Sequence, residues 1–380
     1  MSYKSFTISV EPNVLIWARK SIGMRIGDVA KRIKGITVTT IENWEKGIEK
    51  PIFSHLERLA FIYKRPISAF LLSTPPKETP LPTDFRTLPS NKKKPLHPKT
   101  YLAIRKARRF QYSAIELIRE LSEPVKKLSI EARLSDDPEI LAEKMRIQLG
   151  VQNYSRSGLI NTETSLEEWI KILERNGILV FQISITMNKE IRGFSLIDED
   201  VPVIVLKRAD ESSAKIFTIF HELAHLLLKE GGICDLGEID IPMEKFCNHF
   251  AGAFLVPKNE LLNHPTVRKY EKTAEWPEEI LQNIARNFRV SKEVILRRLL
   301  ILGLTTKQYY FCKHEEWRSK YKEFFRRGKK NEIKICLQER GKKYVSMVFG
   351  AYERNKIDSI NVADYLGVTM DKIPKVKETI

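Results

Sequence analysis

Residues 217–228 read FTIFHELAHLLL, an apolar stretch that contains three ionisable side chains, His221, Glu222 and His225. Side chains four residues apart lie on the same face of an α-helix, so the two imidazoles would point in one direction with the carboxylate beside them. The surrounding apolar residues form a broad hydrophobic band, and Gly231-Gly232 predicts the end of the helix. Ionisable groups on a buried helix need partners, because unpaired polar groups are costly to bury.

The spacing H-E-x-x-H on a helix is typical of zinc peptidases, in which the two histidines bind the metal and the glutamate is the general base. The alternative is an amphipathic helix whose histidines are four residues apart by coincidence. A catalytic zinc ion has three protein ligands and one open position, so a third ligand must come from elsewhere. The longer signature H-E-x-x-H-x-x-G-x-x-H is excluded, because Leu228 and Gly231 stand at its glycine and its third histidine.

A candidate for the third ligand lies in residues 242–257, which read PMEKFCNHFAGAFLVP. The spacing of the phenylalanines predicts a helix, on which Glu244 and Asn248 share one face. Glu244 is therefore predicted to complete the metal site, and Asn248 to hold a ligand or the backbone in position. Cys247 is either a competing soft ligand or a small buried thiol. His249 is predicted to point away from Glu244, in a structural or solvent-facing position.

Composition limits the class of protein. The chain has 380 residues, enough for two or three domains, and 42% of them are hydrophobic, as in soluble globular proteins. A net charge of +17 favours a polyanionic partner, first of all nucleic acid, although a merely basic and soluble surface is the alternative. Four cysteines without C-x-x-C spacing exclude a disulfide framework. With no signal-peptide core and no run of membrane-spanning length, we expect a cytoplasmic protein without a membrane partner.

Residues 10–74 are predicted to form a domain of short helices. Its central part, residues 37–47, reads TVTTIENWEKG, and Thr37 is suited to cap the N-terminus of a helix there. A short helix over residues 26–33 and a turn at Lys34-Gly35 complete a helix-turn-helix pattern. The segment resembles the phage-repressor (XRE-type) helix-turn-helix family, whose recognition helix ends in I-x-x-W-E-x-G, as it does here.

That resemblance implies binding of double-stranded DNA. By position, three residues would face bases in the major groove and three would contact phosphates, namely Val38, Thr39 and Asn43 for the bases and Arg25, Thr37 and Lys46 for the phosphates. Asn43 could read adenine, whereas Val38 could meet only a thymine methyl group. The alternative is a helical module that binds protein, because a fold alone does not decide function.

Residues 75–100 are predicted to be a proline- and lysine-rich linker. Residues 86–115 contain nine basic side chains and no acidic one, and Tyr101, Phe110 and Tyr112 lie among them. Such a mixture suits a groove that binds single-stranded DNA through phosphates and stacked bases. A solvated helix face that follows a flexible lysine-rich tip explains the same residues.

Three apolar, β-branched runs of strand length follow, at residues 178–183, 193–197 and 201–206. A small sheet that lies over the metal helix would let a peptidase hold an extended substrate as an additional strand. The second strand, which starts next to Arg192, is predicted to be the substrate-binding edge.

Together, the H-E-x-x-H helix, the following E-x-x-[A/C]-N-x-F-A and the closing L-x-P resemble the ImmA/IrrE family of bacterial metallopeptidases, which are often fused to an XRE-type helix-turn-helix. The resemblance covers roughly residues 160–270. It implies a Zn²⁺ site with three ligands and a catalytic base, here His221, His225 and Glu244 as ligands and Glu222 as the base. Mn²⁺ or Fe²⁺ could occupy the same ligands.

The resemblance also implies a role. Such a protein would be a regulatory endopeptidase that cleaves a repressor or an antitoxin-like protein in a stress or mobile-element response. The alternative is an XRE-type transcriptional regulator or antitoxin whose zinc domain acts as a sensor or binds a partner without proteolysis. Glu222 favours the first function, because a pure sensor has no need of a base.

The predicted fold is α+β and mostly helical: an N-terminal helix-turn-helix bundle, a zincin-like peptidase core with a small β-sheet, and a C-terminal helical module. The peptidase domain is predicted to span residues 101–305 and the C-terminal module residues 306–380. Residues 362–369 have the spacing of a second helix-turn-helix-like pair, but Pro374 argues against insertion into a DNA groove.

Overall fold

The structure is a computed structural model, which describes residues 6–79, 81, 83–84, 96–124, 126–152, 161–185, 191–198, 200–229, 232–234, 242–270, 273–320 and 331–380. The chain forms two compact units, one of Met1–Leu81 with Ser90–Lys106, and one of Pro82–Pro89 with Ala107–Ile380. None of the helices in the described ranges is long and apolar enough to cross a membrane.

The N-terminal unit is a bundle of short helices around one apolar core. Its helices are α1 (Pro12–Lys20), α2 (Ile26–Ala30), α3 (Val38–Lys46), α4 (Phe53–Tyr63), a 3-10 turn at Ile67–Leu71, and the first part of α5 (Pro98–Leu121). Helix α3 begins where the sequence predicts, because the Thr37 hydroxyl accepts a hydrogen bond from the backbone amide of Thr40 at 3.1 Å. It ends at Gly47, whose φ of 74° suits a residue without a β-carbon.

The second unit contains a five-stranded sheet in the order β1-β5-β3-β4-β2. Its strands are β1 (Thr83–Asp84), β2 (Leu179–Ile183), β3 (Gly193–Leu196), β4 (Val203–Lys207) and β5 (Gly232–Cys234). Strands β2 and β4 are parallel, as are β1 and β5, whereas β3 is antiparallel to both β4 and β5. The three predicted strands are present within a few residues. Strands β1 and β5 were not predicted.

The predicted substrate-binding edge needs a correction. Strand β3 is an inner strand: Gly193 and Phe194 pair with β4 on one side and with β5 on the other. A peptide therefore finds no open edge at these two residues while β5 is in place. Strand β5 could not be predicted from sequence, because a strand as short as β5 has no readable alternation.

Thirteen further helices of the second unit lie within the described ranges. They are α6 (Pro138–Gln148), α7 (Thr162–Arg175), α8 (Ser212–Leu227), α9 (Pro242–Leu255), α10 (Lys258–Leu262), α11 (Pro265–Tyr270), α12 (Glu278–Phe288), α13 (Lys292–Ile301), α14 (Lys307–Lys320), α15 (Glu332–Arg340), α16 (Lys342–Glu353), α17 (Ser359–Leu366) and α18 (Ile373–Lys377). One apolar core runs through α6 to α9 and α12 to α14. The predicted class, α+β and mostly helical with a zincin-like core, is confirmed.

Helix α8 crosses the sheet and is buried from Lys215 to Leu227. It ends before the predicted stop at Gly231-Gly232, because Lys229 already adopts the left-handed conformation with a φ of 55°. Gly232 instead begins β5.

The C-terminal helices pack against the outer strand β2. Helix α15 contacts β2 directly, and Tyr344 of α16 forms an aromatic cluster with Phe110 and Phe181 at centroid distances of 5.7 and 6.1 Å. At the start of α16, the backbone amide of Lys343 donates to the Glu174 carboxyl group at 3.3 Å. These contacts tie residues 331–380 to the sheet.

Candidate metal centre

The histidines of α8 face one carboxylate of α9. Nε2 of His221 and Nε2 of His225 are 3.2 Å apart, and each lies 3.2 Å from an oxygen of Glu244. All three side chains are fully buried. Among the described residues these three offer ligand atoms in one cluster.

This donor set fits a metal ion. Ligands bound at about 2.0–2.1 Å in a tetrahedral arrangement lie about 3.3 Å apart. The three contacts within the triangle of His221, His225 and Glu244 are each 3.2 Å, with each imidazole facing a different oxygen of Glu244. Two imidazoles and a carboxylate are the ligands of one class of catalytic zinc site. The cluster is also buried among apolar residues, where two imidazoles and a carboxylate without a shared ion would be an expensive arrangement.

Asn248 fixes the orientation of the first imidazole. Its Oδ1 lies 3.1 Å from Nδ1 of His221. An amide oxygen can only accept, so Nδ1 carries a hydrogen, and Nε2 is the ring nitrogen that faces Glu244 and could bind a metal ion. The i, i+4 spacing of Glu244 and Asn248 on α9 therefore brings one residue to the ligand triangle and the other behind His221.

The local electrostatics keep Glu244 ionised. Burial alone would raise its pKa, but the charges and hydrogen bonds of His221 and His225 outweigh burial and lower the pKa of Glu244 to about 2. Burial likewise opposes protonation of His221, and Glu244 more than compensates, so the pKa of His221 is raised. Burial raises the pKa of Cys247 well above its usual value, which makes this side chain a neutral thiol.

Glu222 is fully buried on the side of α8 that faces β3. Gly193 lies so close to this side that a β-carbon there would be 2.6 Å from Cγ2 of Thr218, 2.8 Å from the Val205 carbonyl oxygen and 3.4 Å from Oε1 of Glu222. The glycine lets β3 approach the carboxylate. Sequence reasoning missed this role, although a glycine at the start of an apolar strand is a signal of close backbone approach.

An ion-pair cluster holds α9 in position. His249 lies 2.7 Å from Glu139 of α6, and the fully buried Arg298 of α13 donates to both oxygens of the same carboxylate. Although burial opposes it, hydrogen bonds from His249 and Arg298 lower the pKa of Glu139 to about 2. His249 is thus structural, and it points away from Glu244. Glu139 and Arg298 were not identified from sequence, since no local pattern marks them.

The residues predicted to contact DNA lie in the N-terminal unit. Val38 and Thr39 are exposed at the start of α3, where Thr37 is the cap. The three longer side chains are each paired with a carboxylate on their own unit, Asn43 with Glu49 at 3.0 Å, Arg25 with Asp28 at 3.0 Å and Lys46 with Glu42 at 3.9 Å.

Part of the basic segment predicted to bind single-stranded DNA, including Arg86 and residues 92–94, lies outside the described residues. Of the interleaved aromatic side chains, Phe110 is buried in the aromatic cluster, whereas Tyr112 is half exposed. Arg105 donates to the Lys64 carbonyl oxygen at 2.8 Å, and Arg109 pairs with Asp364 at 2.6 Å. Several of these side chains therefore have structural contacts of their own.

The fold and the site together define a metallopeptidase-type domain, with a helix-borne H-E-x-x-H motif beneath a small sheet and a third acidic group from the next helix. Residues 173–300 match the family model described as Peptidase_M78, IrrE N-terminal-like domain. The match covers about a third of the chain and includes the whole ligand triangle, Glu222 and Asn248. It supports the resemblance to ImmA/IrrE peptidases for this part of the chain. No curated protein matches the chain.

Proposed function

We propose that this protein is a zinc-dependent endopeptidase that cleaves a regulatory protein. The observation that carries the proposal is the triangle of three buried ligand side chains, with contacts of 3.2 Å between each pair, beside the buried carboxyl group of Glu222. A metal-binding sensor needs the triangle but not Glu222. Peptidase activity therefore explains the burial of the Glu222 carboxyl group, which a sensor function leaves unexplained.

In this mechanism Glu222 is the general base and then the general acid. A zinc ion held by His221, His225 and Glu244 would supply a Lewis acid that polarises the peptide carbonyl and acidifies a water molecule. Glu222 accepts a proton from the attacking water as the C–O bond forms, and passes it to the amine as the C–N bond breaks. Asn248 keeps the His221 ring fixed while this happens.

Zinc is the proposed metal because two histidines and a glutamate are a known catalytic zinc set. Mn²⁺ and Fe²⁺ accept the same ligands, so affinity alone does not discriminate among them. Elemental analysis of protein purified without added metal would test the assignment. About one equivalent of zinc is expected per chain.

The proposed substrate is a repressor or an antitoxin-like protein, cleaved in the cytoplasm in a stress or mobile-element response. This part of the proposal rests on the resemblance to ImmA/IrrE peptidases. Its support is the combination of a metallopeptidase-type domain with an N-terminal bundle whose α2 and α3 have the spacing of a helix-turn-helix.

The N-terminal unit is proposed to bind double-stranded DNA through α3. The exposed Val38 and Thr39 are available at its N-terminus, and Asn43 would exchange its hydrogen bond with Glu49 for one with a base. The basic segments are proposed to bind single-stranded DNA through phosphates, without base stacking on Phe110, which is a core residue.

The test compares wild-type protein with Glu222→Gln, both loaded with zinc. Each is added to a lysate of the source cells, with and without single-stranded DNA, and new protein N-termini are labelled and identified by mass spectrometry. We expect a small set of new N-termini, from one or a few regulatory proteins, with the wild type only. Identical N-termini in both samples, with zinc bound to both proteins, would refute peptidase function.

A further inference from the structure

Strand β3 is the part of the sheet that lies next to the base. The Gly193 backbone is in contact with α8 at Thr218 and Glu222, as the short distances from a β-carbon built at Gly193 indicate. An extended peptide paired with β3 at this residue would place its backbone beside the Glu222 carboxylate. A peptide bond that lies opposite Gly193 can therefore reach Glu222 and the metal ligands.

Strand β2, at the opposite end of the sheet from β1, cannot hold a peptide beside Glu222. On the β2 side, Lys215 of α8 donates from Nζ to Gln182 of β2 at 3.0 Å. Lys215 precedes Glu222 by seven residues, which is about 10 Å along an α-helix. Helix α15 also packs against β2. A peptide added to the β2 edge would lie too far from Glu222.

The chain itself occupies the useful edge of β3. On one side, Gly193 to Leu196 pair with β4, which belongs to the core of the sheet. On the opposite side Gly193 pairs with Cys234 and Phe194 pairs with Ile233, and β5 runs antiparallel to β3. Strand β5 thus lies where an extended peptide would have to pair.

Within the described ranges, the strand pairings of β5 are short. Strand β5 pairs with β3 at two residues and with β1 at two residues, Thr83 with Gly232 and Asp84 with Ile233, whereas β2 and β4 pair at five. Strand β1 comes from a distant part of the sequence and is the end strand of the sheet among the described residues. A short pair of strands at the end of a sheet, such as β1 with β5, is among the parts of a protein that open most readily.

We propose that β5, held by β1, is an internal occupant of the peptide-binding edge, and that an extended peptide binds by displacing β5 from Gly193 and Phe194. This inference rests on the proposed peptidase function and specifies where its substrate lies. The peptide and β5 then compete for the same edge of β3. The apparent affinity for a peptide is then reduced by the fraction of molecules in which β5 is in place.

The experiment uses full-length protein loaded with Co²⁺ and a tripeptide hydroxamate as the probe. The cobalt absorption spectrum reports whether the hydroxamate reaches the metal, and amide hydrogen exchange reports which strands open. We expect exchange at residues 232–234 to become at least about tenfold faster when the probe binds, while residues 193–196 stay protected because the peptide replaces β5 on β3.

Three outcomes are distinguishable. If the spectrum changes and exchange at residues 232–234 is unchanged or slower, the displacement of β5 is refuted while the peptidase function stands. If the spectrum changes and these residues exchange faster, both stand. If millimolar probe causes no spectral change, the hydroxamate does not reach the metal. Both the peptidase function and the displacement of β5 are then refuted.

A backbone substitution tests the competition directly. The amide of Ile233 faces either β1 or β3, so Ile233→Pro removes one ladder hydrogen bond in either case. We expect the probe to bind about fivefold more tightly, the equivalent of one net hydrogen bond. Asp84→Pro in β1 is the second variant, in case the first does not fold. Leu81→Pro, at an exposed residue just before β1, is the matched control and should leave the affinity unchanged.

Equal probe affinity in wild type, Ile233→Pro and Asp84→Pro would refute the competition, provided that all three bind one equivalent of Co²⁺ and retain the wild-type circular dichroism spectrum. Tighter binding by Leu81→Pro as well would also refute it, because the effect would then not depend on the strand pairing.

Discussion

The side-chain oxygen of Asn248 lies 3.1 Å from Nδ1 of His221, on the opposite side of the ring from the ligand triangle. This contact fixes both the tautomer and the plane of the imidazole. Because α9 carries Asn248 and Glu244 one turn apart, a single helix supplies a ligand and the group that orients another ligand.

We expect Asn248→Ala to weaken metal binding by about 10- to 100-fold, the usual loss when a group behind a metal-bound histidine is removed. Competition with a chromophoric chelator measures the change. Asn259→Ala, at an exposed residue of α10, is the matched control. Unchanged affinity in Asn248→Ala would show that the ring is held by packing alone.

Glu222→Gln should abolish cleavage and spare the metal. The substitution keeps the size of the side chain but removes its ability to accept a proton, so we expect kcat to fall by at least about 100-fold. Zinc stoichiometry should stay at the wild-type level, because Glu222 is not one of the three clustered ligands. The N-terminus identified as the cleavage product supplies the peptide for this assay. Loss of zinc together with activity would instead make Glu222 a ligand.

The parts of the site that the sequence predicts are those set by spacing within one helix. His221 and His225, or Glu244 and Asn248, are brought together by helical periodicity, which a sequence displays directly. That α9 faces α8 was predicted from the need for a third ligand and was also implied by the family resemblance, and the short distances between α8 and α9 agree with that prediction.

The parts that the sequence does not predict depend on contacts between distant segments. Arg298 reaches Glu139 from a helix far along the chain, and β1 pairs with β5 through two residues in the described part of the chain. Neither a lone charged residue nor a two-residue strand has a period that can be read. The role of Gly193 was visible only once α8 was known to lie against β3.

Gly193→Ala should destabilise the second unit. The new methyl group would lie 2.6 Å from Cγ2 of Thr218 and 2.8 Å from the Val205 carbonyl oxygen, so β3 or α8 must shift. We expect the free energy of unfolding to fall by about 1–3 kcal/mol, measured by urea denaturation. The double variant Gly193→Ala/Thr218→Ser, which removes the Cγ2 contact, should recover part of the loss.

Gly350→Ala in α16 is the control for Gly193→Ala, because its nearest neighbour would be 4.0 Å from the added carbon. An alanine within a helix should stabilise by up to about 1 kcal/mol relative to glycine. Equal effects of the two glycine substitutions would contradict the close approach of β3 to α8.

For α3 we expect Asn43→Ala to reduce affinity for a preferred duplex by about 1–3 kcal/mol, because one bidentate base contact is lost.

Lys46→Ala should weaken binding to all duplexes alike and lower its salt dependence. Fluorescence anisotropy with duplexes enriched from a random pool measures both. Failure to enrich any duplex would favour a protein-binding role for this unit.

Glu174 makes stability depend on pH. It is 7% exposed and accepts the Lys343 amide hydrogen, and burial raises its pKa to about 8 from an ordinary value of 4.5. Since the folded state holds the proton more tightly than the unfolded state, the contribution of Glu174 is fully present below pH 4.5 and is lost as the pH rises toward 8. The slope is at most about 1.4 kcal/mol per pH unit.

Glu174→Gln should remove that slope, because the amide stays neutral and retains an oxygen for the Lys343 amide. Urea denaturation at pH 5, 6, 7 and 8 gives the free energy of unfolding of each protein. The difference between wild type and Glu174→Gln should shift steadily in favour of the variant as the pH rises, and Glu167→Gln on the exposed face of α7 serves as the control. A difference that is constant from pH 5 to pH 8 would mean that Glu174 is already ionised at pH 5, and that the amide at the start of α16 stabilises its charge more than burial opposes it.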